Sequence, residues 1–90
     1  MPTPRAHLTD TQVRERAARR ARFGERVREL RKECGMTQEQ VALASGIDRP
    51  FLVQVENGRR SVLVERLEDL ASALGVPVAD LFPDGGDRFL

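Results

Sequence analysis

The sequence predicts a small all-α domain, and three observations lead to this fold class. Apolar residues recur at the three- and four-residue spacing of amphipathic helices in several consecutive segments. No segment of strand length alternates apolar and polar residues, so no sheet is expected. Glycine and other turn residues divide the 90 residues into short pieces, which favours one domain with a modest hydrophobic core.

The first predicted helix contains ARFGERVRELRKECG. Its apolar residues lie on one stripe, namely Phe23, Val27, Leu30 and Cys34. Cys34 is therefore interpreted as a small hydrophobic core residue, and Gly35 as the C-terminal cap. Thr9 and Gln12 have the spacing of a capping box, which would start the helix near residue 10.

The second predicted helix is the short segment MTQEQVALASG. Thr37 and Gln40 have the spacing of a capping box, and Ser45-Gly46 is expected to end the helix. The residues predicted to supply its buried side are Val41, Ala42 and Leu43.

The third predicted helix lies in DRPFLVQVENGRR. Asp48 is the expected N-cap, and Pro50 is tolerated because a first-turn residue has no intrahelical acceptor for its N–H. The helix is expected to end near Asn57-Gly58. This segment is apolar on more sides than one buried face requires: Leu52 and Val55 fall on one side, and Val53 falls on another.

The fourth predicted helix is VERLEDLASALG, and a last helical turn is PVADLF. Gly75 is expected to close the fourth helix, and Ser61 is a candidate N-cap. The residues predicted to face inward are Val64, Leu67, Leu70, Ala71 and Leu74, and those predicted to face outward are Glu65, Glu68, Asp69 and Ser72.

Composition excludes several classes of function. One His, one Cys and no Tyr or Trp leave no nucleophile and base to assemble, so we expect no enzyme, no metal and no cofactor. No apolar run approaches the roughly 18 residues of a membrane span. The N-terminus lacks a signal-peptide core and a single Cys cannot form an internal disulfide, which indicates a cytoplasmic protein.

Charge is unevenly distributed although the net charge is only +1. Residues 1–35 carry nine Arg and one Lys against five acids, whereas residues 36–90 carry five Arg against nine acids. A basic half of this kind suits a polyanionic partner, although mixed charge on solvated helices gives the same pattern.

Two short helices joined by Ala44 to Ile47 form a helix-turn-helix, and the residues around it carry a family resemblance. The segments RVRELRKECGMTQEQVALASGI, FLVQVENGRR and LEDLASALGVPVADLF resemble the Cro/repressor-like helix-turn-helix family, also called the xenobiotic-response-element type. The resemblance covers about residues 22 to 83. It implies a five-helix lambda-repressor-like DNA-binding domain, whose third helix enters the major groove as part of a homodimer on a two-fold symmetric operator. Within the family, the chain is most similar to stand-alone regulators such as restriction–modification controller proteins and phage repressors.

The resemblance and the chemistry of base edges assign roles to individual residues. Guanine, adenine and the thymine methyl group are recognised by Arg, Gln and aliphatic side chains respectively. The residues assigned to base readout are therefore Arg49, Pro50, Val53 and Gln54. Those assigned to the DNA backbone are Thr37, Gln38, Asn57, Arg59 and Arg60, and the resemblance implies a structural ion pair between Arg31 and Glu56. Partial burial is the competing interpretation of Val53.

The expected organisation has three parts. Residues 1–20 form a basic N-terminal arm or an extension of the first helix, residues 21–83 the DNA-binding domain, and residues 84–90 a C-terminal tail. Because the core is small, Val78, Leu81 and Phe82 are the candidate dimer interface. The alternative function is an antitoxin or other protein-interaction module that binds DNA secondarily.

Overall fold

The computed structural model describes residues 7–83, which form four α-helices and one 3₁₀ turn. The elements are α1 (Asp10–Glu33), α2 (Gln38–Ser45), α3 (Arg49–Glu56), α4 (Val64–Leu74) and the 3₁₀ turn (Val78–Leu81). No strand occurs among these residues, so the all-α prediction is confirmed. The predicted tail, residues 84–90, and the first six residues of the predicted arm lie outside the described part.

The prediction of a fifth α-helix is wrong, because a four-residue 3₁₀ turn occupies that place. Pro77 precedes the turn and Pro83 follows it closely, and proline lacks the N–H that a continuing helix requires. Within residues 7–83, no helix combines the length and the apolar character needed to cross a membrane.

The starts of the first three helices are determined by local side-chain caps. The Thr9 hydroxyl accepts a hydrogen bond from the Gln12 N–H at 3.1 Å, and the Gln12 side chain accepts one from the Thr9 N–H at 2.9 Å. Thr37 and Gln40 form the same capping box at the start of α2. The Asp48 carboxylate accepts a hydrogen bond from the Phe51 N–H at 2.9 Å and caps α3. These three predictions are confirmed.

α4 begins without the predicted side-chain cap. Its N-cap residue is Leu63, which makes no capping hydrogen bond, so Ser61 is not the cap. Ser61 lies three positions before the first helical residue, too far to reach the N–H groups of the first turn. Val64 is 78% exposed, which corrects its predicted inward position.

The hydrophobic core lies where α1, α2, α3, α4 and the 3₁₀ turn meet. Its buried members are Val27, Leu30, Val41, Ala42, Ile47, Leu52, Leu70, Ala71, Leu74 and Leu81. Leu43 is 80% exposed and does not belong to it. α2 buries Val41, Ala42 and Ser45, and a further rotation of about 100° from Ala42 turns Leu43 toward solvent.

Two other predicted positions are corrected by the packing. Leu81 has no solvent exposure and belongs to the core of this chain, so it is not available to a dimer interface. Cys34 is exposed rather than a core residue, because α1 ends at Glu33 and Cys34 is its C-cap. The Cys34 thiol donates a hydrogen bond to the Leu74 carbonyl at 3.0 Å.

α1 and α3 approach each other closely at Gly24. This glycine is buried in the middle of α1, and a Cβ there would overlap the carbonyl oxygens of Val55 and Glu56. The crossing therefore requires a residue without a side chain, although glycine lowers helix stability by about 1 kcal/mol relative to alanine. The close approach brings Arg28 and Arg31 of α1 next to the end of α3.

Candidate nucleic-acid interface

α3 has a buried side and an exposed side. Leu52 and Val55 are 0% and 1% exposed and attach the helix to the rest of the domain. Arg49, Pro50 and Gln54 are exposed, and Val53 is half-buried. The four residues assigned to base readout are thus all accessible, and Val53 lies at the border between the two sides.

The side chain of Arg60, in the segment after α3, lies over the exposed side of that helix. Arg60 Nε donates a hydrogen bond to Gln54 Oε1 at 2.8 Å. The Arg60 guanidinium also lies 6.0 Å from the centre of the Phe51 ring, within the range of a cation–π interaction. Arg60, which the resemblance assigned to phosphate, therefore lies beside a residue assigned to base readout.

Glu56 is the centre of a buried charged network that joins α1, α2 and α3. Its carboxylate is fully buried and accepts hydrogen bonds from Arg31 Nε at 2.7 Å and Arg31 Nη2 at 3.0 Å. The Gln38 amide donates to it at 3.1 Å, and Arg28 Nε lies 3.5 Å away. Arg31 also donates to the Met36 carbonyl at 3.1 Å. The structural pair implied by the resemblance is present as a bidentate interaction.

The network also determines the ionisation of Glu56. Burial alone would raise the pKa of this carboxyl group, but the hydrogen bonds from Arg31 and Gln38 and the charge of Arg31 outweigh it. The pKa of Glu56 is consequently below its usual value, and the carboxylate is charged at neutral pH.

The N-terminus of α2 borders a basic groove of about 690 Å³. Its charged lining residues are Arg28, Arg31, Lys32, Glu39 and Arg49. Thr37 and Gln38 lie in the same lining: the Thr37 hydroxyl caps α2, and the Gln38 amide is held by Glu56. The N–H groups at a helix N-terminus and the nearby guanidinium groups together favour an anion in this groove.

The turn after α3 is fixed to α1 by two arginines, Arg20 and Arg28, that the sequence analysis did not select. Arg28 Nη2 donates to Asn57 Oδ1 at 3.0 Å, and Arg20 Nε is 3.4 Å from the Gly58 carbonyl. Gly58 has φ +75° and also contacts Ala21 closely. The one available signal was Gly24, a glycine inside a helical pattern, which indicates close packing of another backbone. Arg59, next in the chain, remains exposed.

Comparisons with known proteins agree with this arrangement. The helix-turn-helix family HTH_3 matches residues 27–81. Control protein C.MunI from a Mycoplasma species is 38% identical over 64 residues, which are 70% of this chain and 86% of that protein. The Vibrio cholerae cryptic phage CTXphi transcriptional repressor RstR is 37% identical over 62 residues, or 69% of this chain and 56% of that protein.

A solved structure with a similar fold is the restriction-modification controller protein C.AhdI from Aeromonas hydrophila. The TM-score is 0.70 at 42% sequence identity, and the match covers 72% of this chain and 98% of that chain. The family match spans more than half of the 90 residues and includes α2, the turn and α3. The chain therefore belongs to the HTH_3 helix-turn-helix family of the Cro/repressor type.

Proposed function

We propose that the protein is a sequence-specific DNA-binding transcriptional regulator that acts as a homodimer on a two-fold symmetric operator. The observation that carries the proposal is the exposed side of α3, where Arg49, Pro50, Val53 and Gln54 are accessible together. The major groove is about 12 Å wide and accommodates an α-helix. Relatives that include controller proteins and a phage repressor support the regulatory role.

The proposed contacts divide into two sets with different chemistry. Arg49 donates hydrogen bonds to guanine, Gln54 donates to N7 of adenine and accepts from its N6 amino group, and Val53 contacts a thymine methyl group. In the free protein Arg60 donates to Gln54 Oε1, one of the two atoms that a two-bond contact with adenine uses, and on binding Arg60 turns toward a phosphate. Release of Arg60 would thereby link backbone contact to base readout.

The second set contacts phosphates. It comprises Thr37, Gln38, Asn57, Arg59 and Arg60. Gln38 and Asn57 are held by Glu56 and Arg28, so their side chains are positioned before DNA arrives. Contacts of this kind fix the register of the protein on the duplex without reading sequence.

The proposed dimer uses the exposed apolar residues near the 3₁₀ turn. Phe82 is 42% exposed and packs against Phe23 with the ring centres 5.5 Å apart, and Val78 is half-buried. A second protomer would cover the remaining apolar surface of these residues.

In vitro selection from a pool of random-sequence duplexes tests the proposal without knowledge of the operator. We expect an inverted-repeat sequence to be enriched and a complex of two protomers per duplex in sedimentation at moderate salt. If no sequence is enriched and the protein binds all duplexes alike, the regulator proposal fails. The protein-interaction module would then be the better interpretation.

Two variants test the division of contacts on the selected duplex. Val53→Ser should reduce the preference for thymine at one position of each half-site by about 1 kcal/mol, the scale of one buried methyl contact, with an unchanged salt dependence. Leu43→Ser is the matched control, because Leu43 is an exposed apolar residue on α2. A loss of thermal stability in Val53→Ser with an unchanged base preference would show that Val53 belongs to the core.

A further inference from the structure

The first three turns of α1 form a basic surface that lies outside the matched family region. The family match begins at residue 27, whereas α1 begins at Asp10. Residues 10–22 carry five Arg and two acids. The capping box at Thr9 stabilises the start of the helix, so these arginines are presented on an ordered helix.

Contacts with the turn after α3 give this basic helix a definite position. Arg20 Nε is 3.4 Å from the Gly58 carbonyl, and a Cβ at Gly58 would lie 2.8 Å from the Ala21 Cα. Arg59 directly follows Gly58 in the chain. The middle of α1 is therefore adjacent to the segment assigned to the phosphates.

Arg16 extends the same side of α1 away from the domain. It lies four residues before Arg20, so the two side chains are neighbours on the helix surface, about 6 Å apart along its axis. Within the described residues Arg16 makes no hydrogen bond or ion pair, and it is exposed. Arg14 and Arg22 lie on the opposite side, about 120° and about 160° around the helix from Arg20, and both are exposed.

From this arrangement we propose that Arg16 and Arg20 bind DNA phosphates adjacent to those contacted by Arg59. The first half of α1 would thus be a rigid extension of the DNA-binding surface. The partner is the phosphate backbone, because Arg20 lies next to the segment assigned to phosphates, Arg16 continues the same side of the helix, and guanidinium groups pair well with phosphate oxygens. This inference rests on the proposed function, since it requires a DNA-bound protein.

Salt dependence provides the test, with the full chain and the duplex obtained by selection. Arg16→Gln/Arg20→Gln is compared with Arg14→Gln/Arg22→Gln, which removes the same charge from the opposite side of α1. The slope of log K against log salt should fall by about 0.9 for each phosphate that the protein no longer binds, only in the first variant. Phosphate-ethylation interference should disappear, in that variant, at positions next to those that depend on Arg59.

The possible outcomes are distinct. Equal slopes and equal interference patterns for the two double variants would overturn the inference while leaving the proposed function intact. Failure of the wild-type protein to bind any duplex would instead refute the proposed function. Arg16→Gln alone separates phosphate binding from a folding effect of Arg20, since Arg16 makes no hydrogen bond or ion pair with residues 7–83. It should lower the slope relative to Arg22→Gln at unchanged thermal stability.

Discussion

Removal of either member of the Arg31–Glu56 pair is expected to destabilise the domain strongly. The Glu56 side chain is fully buried and the Arg31 side chain is 12% exposed. Removal of Arg31 leaves the Glu56 carboxylate with Arg28 at 3.5 Å in place of its bidentate partner, and removal of Glu56 leaves the Arg31 charge away from water without its anion. Breaking a buried pair from one side costs about 3–5 kcal/mol. A domain of 90 residues has a total stability of roughly 5–13 kcal/mol, so either change would remove a large share of it.

Urea unfolding at pH 7, followed by the helical circular dichroism signal, measures this effect in a double-mutant cycle. The variants are Arg31→Met, Glu56→Gln and the combination of both. We expect the combined change to cost less than the sum of the single changes, with a coupling free energy of about 1–3 kcal/mol. The neutral pair removes both charges, whereas each single change leaves one.

An exposed ion pair on α1 is the matched control. Arg19 and Glu15 approach to 3.8 Å with side chains 65% and 57% exposed, so Glu15→Gln should cost less than about 1 kcal/mol. Additive effects below about 1 kcal/mol at Arg31 and Glu56 as well would refute the reasoning. They would mean that solvent reaches the pair or that the pair does not form in solution.

Three further predictions concern packing and pH. Gly24→Ala should lower the free energy of unfolding by about 1–3 kcal/mol, because its Cβ would overlap the Val55 and Glu56 carbonyls; wild-type stability in urea would contradict this close approach. Because the pKa of Glu56 is lowered on folding, its contribution to stability is complete above the unfolded pKa of about 4.5 and is lost as pH falls through the folded pKa. Thermal unfolding of Glu56→Gln should therefore depend less on pH below about 4.5 than that of the wild type, and an equal dependence would assign acid unfolding to other groups. Leu70→Ala should cost about 2–5 kcal/mol in urea unfolding because Leu70 is fully buried, whereas Leu43→Ala should stay within about 0.5 kcal/mol; similar costs would contradict the observed orientation of α2.

The beginnings of α1, α2 and α3 could be predicted from the sequence because their causes are local. Thr9 with Gln12, Thr37 with Gln40, and Asp48 each form their capping hydrogen bonds within three residues. Such bonds depend on the identity of neighbouring side chains and not on the rest of the fold. The same holds for the ends at Gly46 and Gly75, where positive φ angles of 75° and 72° favour glycine.

The buried side of a short helix could not be predicted in the same way. An eight-residue helix such as α2 makes barely two turns, so several apolar stripes fit its sequence equally well. The packing of distant segments selected one stripe in each helix, and it left Leu43 of α2 and Val64 of α4 exposed. Leu81 was buried by the same process, although the small predicted core indicated that it would be left for an interface.

In the candidate site, too, some features follow from the sequence and others from the tertiary structure. The identities of Arg49, Val53 and Gln54 and their common side of α3 follow from the sequence, because helical periodicity alone places them together. Only the tertiary structure determined that Arg60 bonds to Gln54 and that Arg20 reaches Gly58. Arg20 and Gly58 are 38 positions apart in the chain, and they meet because Gly24 allows α1 to lie directly against the backbone of α3.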